Sequence, residues 1–214
     1  MNFGQGAIAD RPSWRVTLAI AIAVVACATG PIGSPAHGRG LKDVPAHLST
    51  IKPIPAPPGF GGICTKYPWA CAADRHKTGL TPEEVQLVKA VNREVNRRVP
   101  MVEDRVQYGT DELWTLPGSR GGDCEDLVLL KKQILISRGI PAGNLLIAAV
   151  LDRSGRSHAV LVARAGHADL VLDTLTDRVL PWHRTGYSFL KMQSPRAPSR
   201  WGAVLAGGIF NPRQ

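Results

Sequence analysis

The 214-residue sequence is short of cysteine, of aromatic residues and of long apolar runs. Four cysteines are too few for a disulfide-built miniprotein. None forms the closely spaced C-x-x-C pair of a structural zinc site. No apolar run approaches the roughly 18 residues of a membrane-spanning helix, and no internal repeat is present. What is there is ordinary globular material. The 44% hydrophobic content excludes wholesale disorder and a collagen-like repeat. The length suits one domain with appendages. A net charge of +9 allows an anionic partner, but its meaning depends on where the charge sits.

The N-terminus reads as an address. Arg11 and Arg15 precede an apolar stretch, Val16 to Ala28, in which Thr17 is the one hydroxyl side chain, followed by small residues. At about 1.5 Å per residue this stretch falls well short of a hydrocarbon core of roughly 30 Å. Basic flank, short apolar run and small residues make a secretory signal peptide over residues 1–28, with cleavage after Ala28. The alternative is lipidation of Cys27, for which Val24 is a weak leader; a buried core helix is the bland reading. Export leaves 24 basic and 16 acidic residues, or +8, and three cysteines: Cys64, Cys71 and Cys124. The mature chain is expected in the periplasm with no transmembrane segment.

Residues 29–62 hold seven Pro and seven Gly and read as a linker, leaving 63–214 as the domain. Cys64 and Cys71 flank a Pro-containing turn and are read as a small disulfide clip, a redox or metal pair being the poorer alternative at this spacing. A helix begins at Thr81-Pro82-Glu83-Glu84, which has an N-cap, a first-turn proline and a capping-box acid. Val88, Val91, Val95 and Val99 continue it to a stop at Pro100. Asn92 and Asn96 are read as solvated positions on its neighbouring face. Residues 101–122 are irregular and end in Gly121-Gly122. A second helix runs from about Cys124 to Arg138, capped by Asp123 and ended by Gly139. Segments 145–152, 157–164 and 169–173 read as antiparallel strands, the first two joined by an Arg153–Arg156 turn. Beyond Thr176 the pattern is mixed, with Trp182, Tyr187, Phe189 and Trp201 expected to pack onto the core.

Cys124 is the chemically suggestive residue. A thiolate is the nucleophile, and a free thiol is only a few per cent ionised near pH 7. A helix N-terminus offers unpaired N–H groups and about half a positive charge. The Cys124 N–H would serve as an oxyanion donor, and the preceding glycines would let a substrate backbone approach. His158 starts one strand and Asp173 ends the next, so antiparallel pairing would bring base and orienter together. Each residue also has a bland reading: a small buried hydrophobe, a hydrogen-bonded strand histidine, a strand-end cap. His37, His47, His76, His167 and His183 lack an apolar strand context.

Four segments carry a family resemblance: Tyr108-Gly109-Thr110-Asp111-Glu112-Leu113-Trp114-Thr115-Leu116-Pro117, Gly122-Asp123-Cys124-Glu125-Asp126, His158-Ala159-Val160-Leu161, and Leu172 to Val179. Together they resemble the bacterial transglutaminase-like cysteine proteinases, over about residues 64–190. That family includes periplasmic proteases that clip large biofilm adhesins. The resemblance implies an α+β, papain/transglutaminase-like fold, a nucleophile-bearing helix packed on an antiparallel sheet, with a Cys124–His158–Asp173 triad. Two positions depart from the family pattern. Leu127-Val128 stands where Tyr-Ala is common, and Thr174 where Asn is common, so substrate fit is open to change.

Acidic residues surround the nucleophile, and nearby negative charge raises a thiol pKa. Asp123 and the first-turn acids have an ordinary explanation as cap and dipole complement. The resemblance adds calcium, since adhesin-clipping relatives use carboxylates beside the cysteine; here these are Asp123 and Glu125, with Asp104 and Asp111 as outside candidates. The chemistry itself requires no cofactor. The leading expectation is therefore an exported cysteine endopeptidase working through a thioester on an envelope protein, a surface adhesin by the resemblance, with a membrane-bound regulator. A transglutaminase-type acyltransferase and a non-catalytic envelope-binding module are the alternatives. Nucleic acid is not expected, because the basic residues are dispersed; Arg97-Arg98, Lys131-Lys132 and Arg196 to Arg200 read as solvated surface. Tyr108 and Trp114 are candidate site-wall residues, with packing as the plainer reading.

Overall fold

The computed structural model describes residues 44–73 and 79–211. The expected signal segment, Cys27, His37 and His76 lie outside these residues. A seven-stranded antiparallel sheet organises the described chain. Its centre is the expected hairpin of β2 (Leu145–Leu151) and β3 (Ser157–Arg164), with Val150 opposite His158. The turn closes as its composition predicts: Asp152 accepts from the N–H groups of Ser154 and Arg156, and Gly155 takes a φ of 81°. β4 (Asp169–Leu172) pairs with β3, and β5 (Leu180–Pro181) pairs with β4. On the other side of β2 lie β6 (Ser188–Ser194), then β7 (Ala197–Ala206), then β1 (Pro53–Ile54) at the edge.

Both faces of the sheet are covered, which explains why its central strands read as nearly continuous apolar runs. One face (Leu145, Ile147, Leu161, Leu172) packs against α2 (Pro82–Arg98) and α4 (Cys124–Ser137) through Val88, Val91, Leu127 and Val128. The other face (Leu146, Val150, Val160, Val162, with Phe189 and Met192 of β6 beside them) packs against Leu48, Trp182 and Tyr187. Each such buried aliphatic side chain contributes about 1.5–3 kcal/mol. The helix starts follow the sequence. Thr81 Oγ1 accepts from the Glu84 N–H while the Glu84 carboxylate accepts from the Thr81 N–H, the reciprocal capping box. Two short helices, α1 (Ile63–Lys66) and α3 (Asp104–Gln107), sit in the connecting segments. Among the described residues no helix is long and apolar enough to cross a membrane.

Two readings change. The segment expected as a loose linker up to residue 62 is docked over its later part. Leu48 and Phe60 are buried, and Pro53-Ile54 pairs with Trp201-Gly202. An edge strand needs donors on one side only, so proline is tolerated there. Phe60 then meets Trp114 and Trp201 edge-on, both at 5.0 Å. The last third contains three further strands, the two-residue β5 and then β6 and β7, and the register between β6 and β7 shifts twice. Lys191, Gln193, Pro198 and Arg200 interrupt their apolar pattern. The expected burial of Trp182, Tyr187, Phe189 and Trp201 is observed.

Candidate active site

The N-terminus of α4 is built around Asp123. Its Oδ1 accepts from the N–H groups of Glu125 (3.1 Å) and Asp126 (3.3 Å). The Cys124 N–H is left without a partner among the described residues, as the first turn of a helix dictates. The two glycines before it have a tighter role than substrate approach. A Cβ on Gly121, whose φ is 115°, would lie 2.1 Å from the Pro100 carbonyl oxygen, and one on Gly122 would lie 2.6 Å from Asp126. They admit the backbone of Pro100 and the side chain of Asp126.

Strand register brings His158 to Asp173. Leu161 faces Leu172, so the next step sets Asp173 beside Val160, with His158 two residues further along the same face. That diagonal lies within reach of an imidazole. His158 Nε2 and Asp173 Oδ1 are 2.8 Å apart, both groups buried. Nε2 being engaged, Nδ1 is the nitrogen left to face a thiol. Asp173 Oδ1 also accepts from the Leu175 N–H, and the Tyr187 hydroxyl donates to Oδ2. Burial opposes the Asp173 charge, but these hydrogen bonds outweigh it and hold the carboxyl below its ordinary value. Burial and the same carboxylate push the Tyr187 phenol up.

The rest of Asp173 is fixed from α2 and α4. Its N–H donates to Asn92 Oδ1 (3.1 Å), and its carbonyl accepts from Asn96 Nδ2 (2.9 Å) and Lys131 Nζ (3.0 Å). Both asparagines also donate to the Thr176 carbonyl. They are therefore not solvated, as their helix position suggested, but hold the loop after β4. Lys131 and Lys132 are likewise not surface residues; both are fully buried. Lys131 lies seven residues after Cys124, on the same helix face two turns on. Burial, opposed by Asp173, Asp177 and Cys124, brings its ammonium down to about 7. Lys132 donates to the Ala70 carbonyl and to Gln193 Oε1, tying the disulfide clip to β6.

Cys124 is the free cysteine among the described residues, and Cys64–Cys71 is bonded, as expected. The Ala159 N–H acts on the Cys124 sulfur, so the thiol lies against the start of β3, next to His158. The thiol donates to Glu125 Oε2 at 2.8 Å. Burial first, then the Glu125 charge, push it upward. Burial and Asp123 in turn push Glu125 up to about 8.

The acidic surroundings are wider than the sequence suggests. Asp104, Asp123 and Asp126 each bring one carboxylate oxygen within 4.8 Å of the others. Asp104 Oδ2 accepts from the Leu113 N–H and Asp126 Oδ1 from the Thr115 N–H, leaving Asp104 Oδ1 and Asp126 Oδ2 buried without partners. Two orphaned carboxylate oxygens beside a third acid fit a hard divalent cation. Burial raises Asp126 to about 7 and also lifts Asp104. Of the residues expected to bind calcium, Asp123 lies in this group, while Glu125 turns toward the thiol and Glu112. Asp111 pairs with exposed Arg105. From sequence Asp126 reads as a cap acid and one of the acids around the nucleophile but not as one of the calcium pair, and Glu112 is not singled out; Gly122 opens the space that Asp126 fills. His47 bonds Asp169, and His167 and His183 lie in turns; Trp114 is core and Tyr108 is exposed.

Fold and site together set a cysteine at a helix start against the beginning of β3, where His158 bonds Asp173 just past the end of β4. A family model described as bacterial transglutaminase-like cysteine proteinase matches residues 50–208, and the chain belongs to that family. It is a cysteine peptidase of transglutaminase-like type. Among solved structures, calcium-bound LapG of Legionella pneumophila is 24% identical, over 54% of this chain and 67% of that one, with a TM-score of 0.45. Another Legionella pneumophila LapG structure is 22% identical, over 61% and 72%, with a TM-score of 0.48. None of the curated proteins matches the chain.

Proposed function

We propose that the protein is an exported cysteine endopeptidase that cuts a cell-envelope or surface protein through a Cys124 thioester, with His158 as base and Asp173 as orienter. The observation that carries this is the buried 2.8 Å His158–Asp173 bond beside a helix-start thiol. Asp173 fixes the imidazole through Nε2, so Nδ1 takes the Cys124 proton. The sulfur attacks a backbone carbonyl carbon, and the oxyanion is met by the unpartnered Cys124 N–H. His158 returns the proton to the leaving amine as the C–N bond breaks, leaving a thioester. Water, deprotonated by His158, then breaks the C–S bond and releases the acid. The expected signal segment and the family support a periplasmic site of action, with an adhesin-like surface protein as the expected substrate class.

Asp104, Asp123 and Asp126 would hold a calcium ion, whose charge would neutralise the cluster that opposes the thiolate. The test pairs two assays. Iodoacetamide should alkylate Cys124 faster than a free thiol at neutral pH when calcium is supplied, and Cys124→Ala should abolish peptide cleavage. Stable incorporation of a labelled amine into a glutamine donor, with no cleavage, would instead establish acyl transfer.

A further inference from the structure

A groove of about 440 Å³ opens at the His158 end of the sheet. One wall is the turn Asp152 to Arg156, which immediately precedes β3 and His158. The other is Leu175 to Leu180, which follows Asp173. Tyr187 joins the groove to the site. It lines the groove, its hydroxyl donates to Asp173, and its ring stands edge-on to His158 with centroids 6.0 Å apart.

The lining is positively charged: Arg153, Arg156 and Arg178 against Asp152 alone. Arg156 and Asp152 form an ion pair at 3.1 Å and cancel. Arg153 donates through Nε to the Thr185 carbonyl at 2.7 Å, which orients its guanidinium, and it has no acidic partner among the described residues. The Arg178 guanidinium has no partner at all among them. Tyr187 and the half-exposed Leu175 supply apolar wall beside these charges. Such walls strengthen a charge contact relative to open water.

The direction of a substrate follows from the proton path. His158 must protonate the leaving amine, so the residues C-terminal to the cut bond run past the imidazole, toward this groove. We propose that the groove is a binding subsite for an acidic side chain, Asp or Glu, carried by the polypeptide on the C-terminal side of the cut bond, with Arg178 and Arg153 as its anchors. This rests on the peptidase reading of Cys124 and His158. It turns two of the dispersed arginines into specificity determinants and leaves the overall net charge without a role.

The test digests a proteome-derived peptide library, amidated at its C-termini, with the full protein in calcium-containing buffer. Cut sites are read by mass spectrometry. The wild type should enrich Asp and Glu at the first few positions after the cut. The ratio of acidic to basic residues there should fall about tenfold in Arg178→Glu, and also in Arg153→Glu, as expected for removal and reversal of a charge-assisted contact. The ratio is internal to each digest, so reduced folding of a variant does not mimic the effect. Cutting without acidic enrichment, or an unchanged ratio in both variants, would overturn the proposal while leaving the peptidase reading intact. Acidic enrichment seen only when the library carries free C-terminal carboxyls would overturn it in favour of terminal-carboxylate recognition. A library left uncut by the wild type would instead overturn the peptidase reading, and the subsite with it.

Discussion

Replacing Lys131 with methionine should stabilise the protein at low pH and impair it as an enzyme. Lys131 is fully buried on α4, and its Nζ donates to the Asp173 carbonyl at 3.0 Å. Burial lowers its pKa from 10.5 to about 7. At about 1.36 kcal/mol per pH unit, this displacement costs the folded state at most about 5 kcal/mol at low pH. The sign follows from proton counts. Below pH 7 both folded and unfolded chains hold the proton, and the full cost is present. Between about 7 and 10.5 the unfolded lysine keeps its proton while the folded one has lost it, so stability rises with pH. Above 10.5 both are neutral and the cost is gone.

Methionine has similar length and no charge, so Lys131→Met removes this pH dependence. It also removes one hydrogen bond, worth about 1–3 kcal/mol, although the Asp173 carbonyl keeps Asn96 as donor. The variant should therefore be the more stable protein at pH 6, and its advantage should shrink by about 3 kcal/mol between pH 7 and 9.5. Urea denaturation of both proteins across that range, at fixed calcium, measures the difference directly. Parallel stability curves would refute the reasoning, because they would mean that Lys131 titrates alike in the folded and unfolded chains. Turnover should drop in the same variant, because the loop bearing Asp173 loses a tether.

Tyr187→Phe should lower kcat about tenfold, because a hydrogen bond to a charged group is worth about 1.5–3 kcal/mol. It should also move the acidic limb of the kcat profile to higher pH, since Asp173 loses one of the donors holding its pKa down; an unmoved limb counts against the orienter role. Asp126→Asn should weaken the calcium-induced rise in thermal unfolding temperature, whereas Asp111→Asn should not; equal effects would remove the case for the Asp104–Asp123–Asp126 group. Replacing Cys64 and Cys71 with alanine should cost about 2.5 kcal/mol by the chain-entropy argument for so short a loop, read as a lower denaturation midpoint with little change in alkylation of Cys124.

Much of the frame was legible in the sequence because it is encoded locally. The Thr81 capping box, the Asp123 cap, the Gly155 turn and three apolar strands each announce themselves within a few residues. The His158–Asp173 meeting needed only one further step, antiparallel pairing of consecutive strands. What escaped depends on distant partners. Asn92, Asn96, Lys131 and Lys132 are polar residues on helices, and a helical pattern assigns such residues to water. They meet the backbone of Asp173 and Thr176 after β4, the Ala70 carbonyl of the clip and the Gln193 side chain of β6, all far from them in sequence. β6 and β7 escaped because bulges break their period and because Lys191 and Arg200 interrupt their apolar pattern.

Charge of each sign is thus placed where the proposed reaction has use for it, although the sequence scatters it. The acids Asp104, Asp123, Glu125 and Asp126 gather at the start of α4, where Glu125 and Asp123 add to burial in raising the thiol and Asp104, Asp123 and Asp126 bring together the oxygens a cation would need. Lys131 sits on the opposite side of the nucleophile, beneath Asp173. Arg153 and Arg178 line the groove beyond His158. A substrate lying across Cys124 would meet negative potential on the thiol side and positive potential on the leaving side. Such a gradient favours one chain direction over the other before any side chain is read, because reversing an acidic peptide would set its charge against Asp123. Calcium bound at the acids would weaken the repulsive half of this gradient and leave the arginine half unchanged. Raising calcium should therefore relax discrimination on the thiol side of the cut while leaving the acidic preference on the leaving side in place. Cut-site profiles at low and saturating calcium measure the two sides separately, and a parallel change on both sides would contradict the assignment of the two charges to two halves of one cleft.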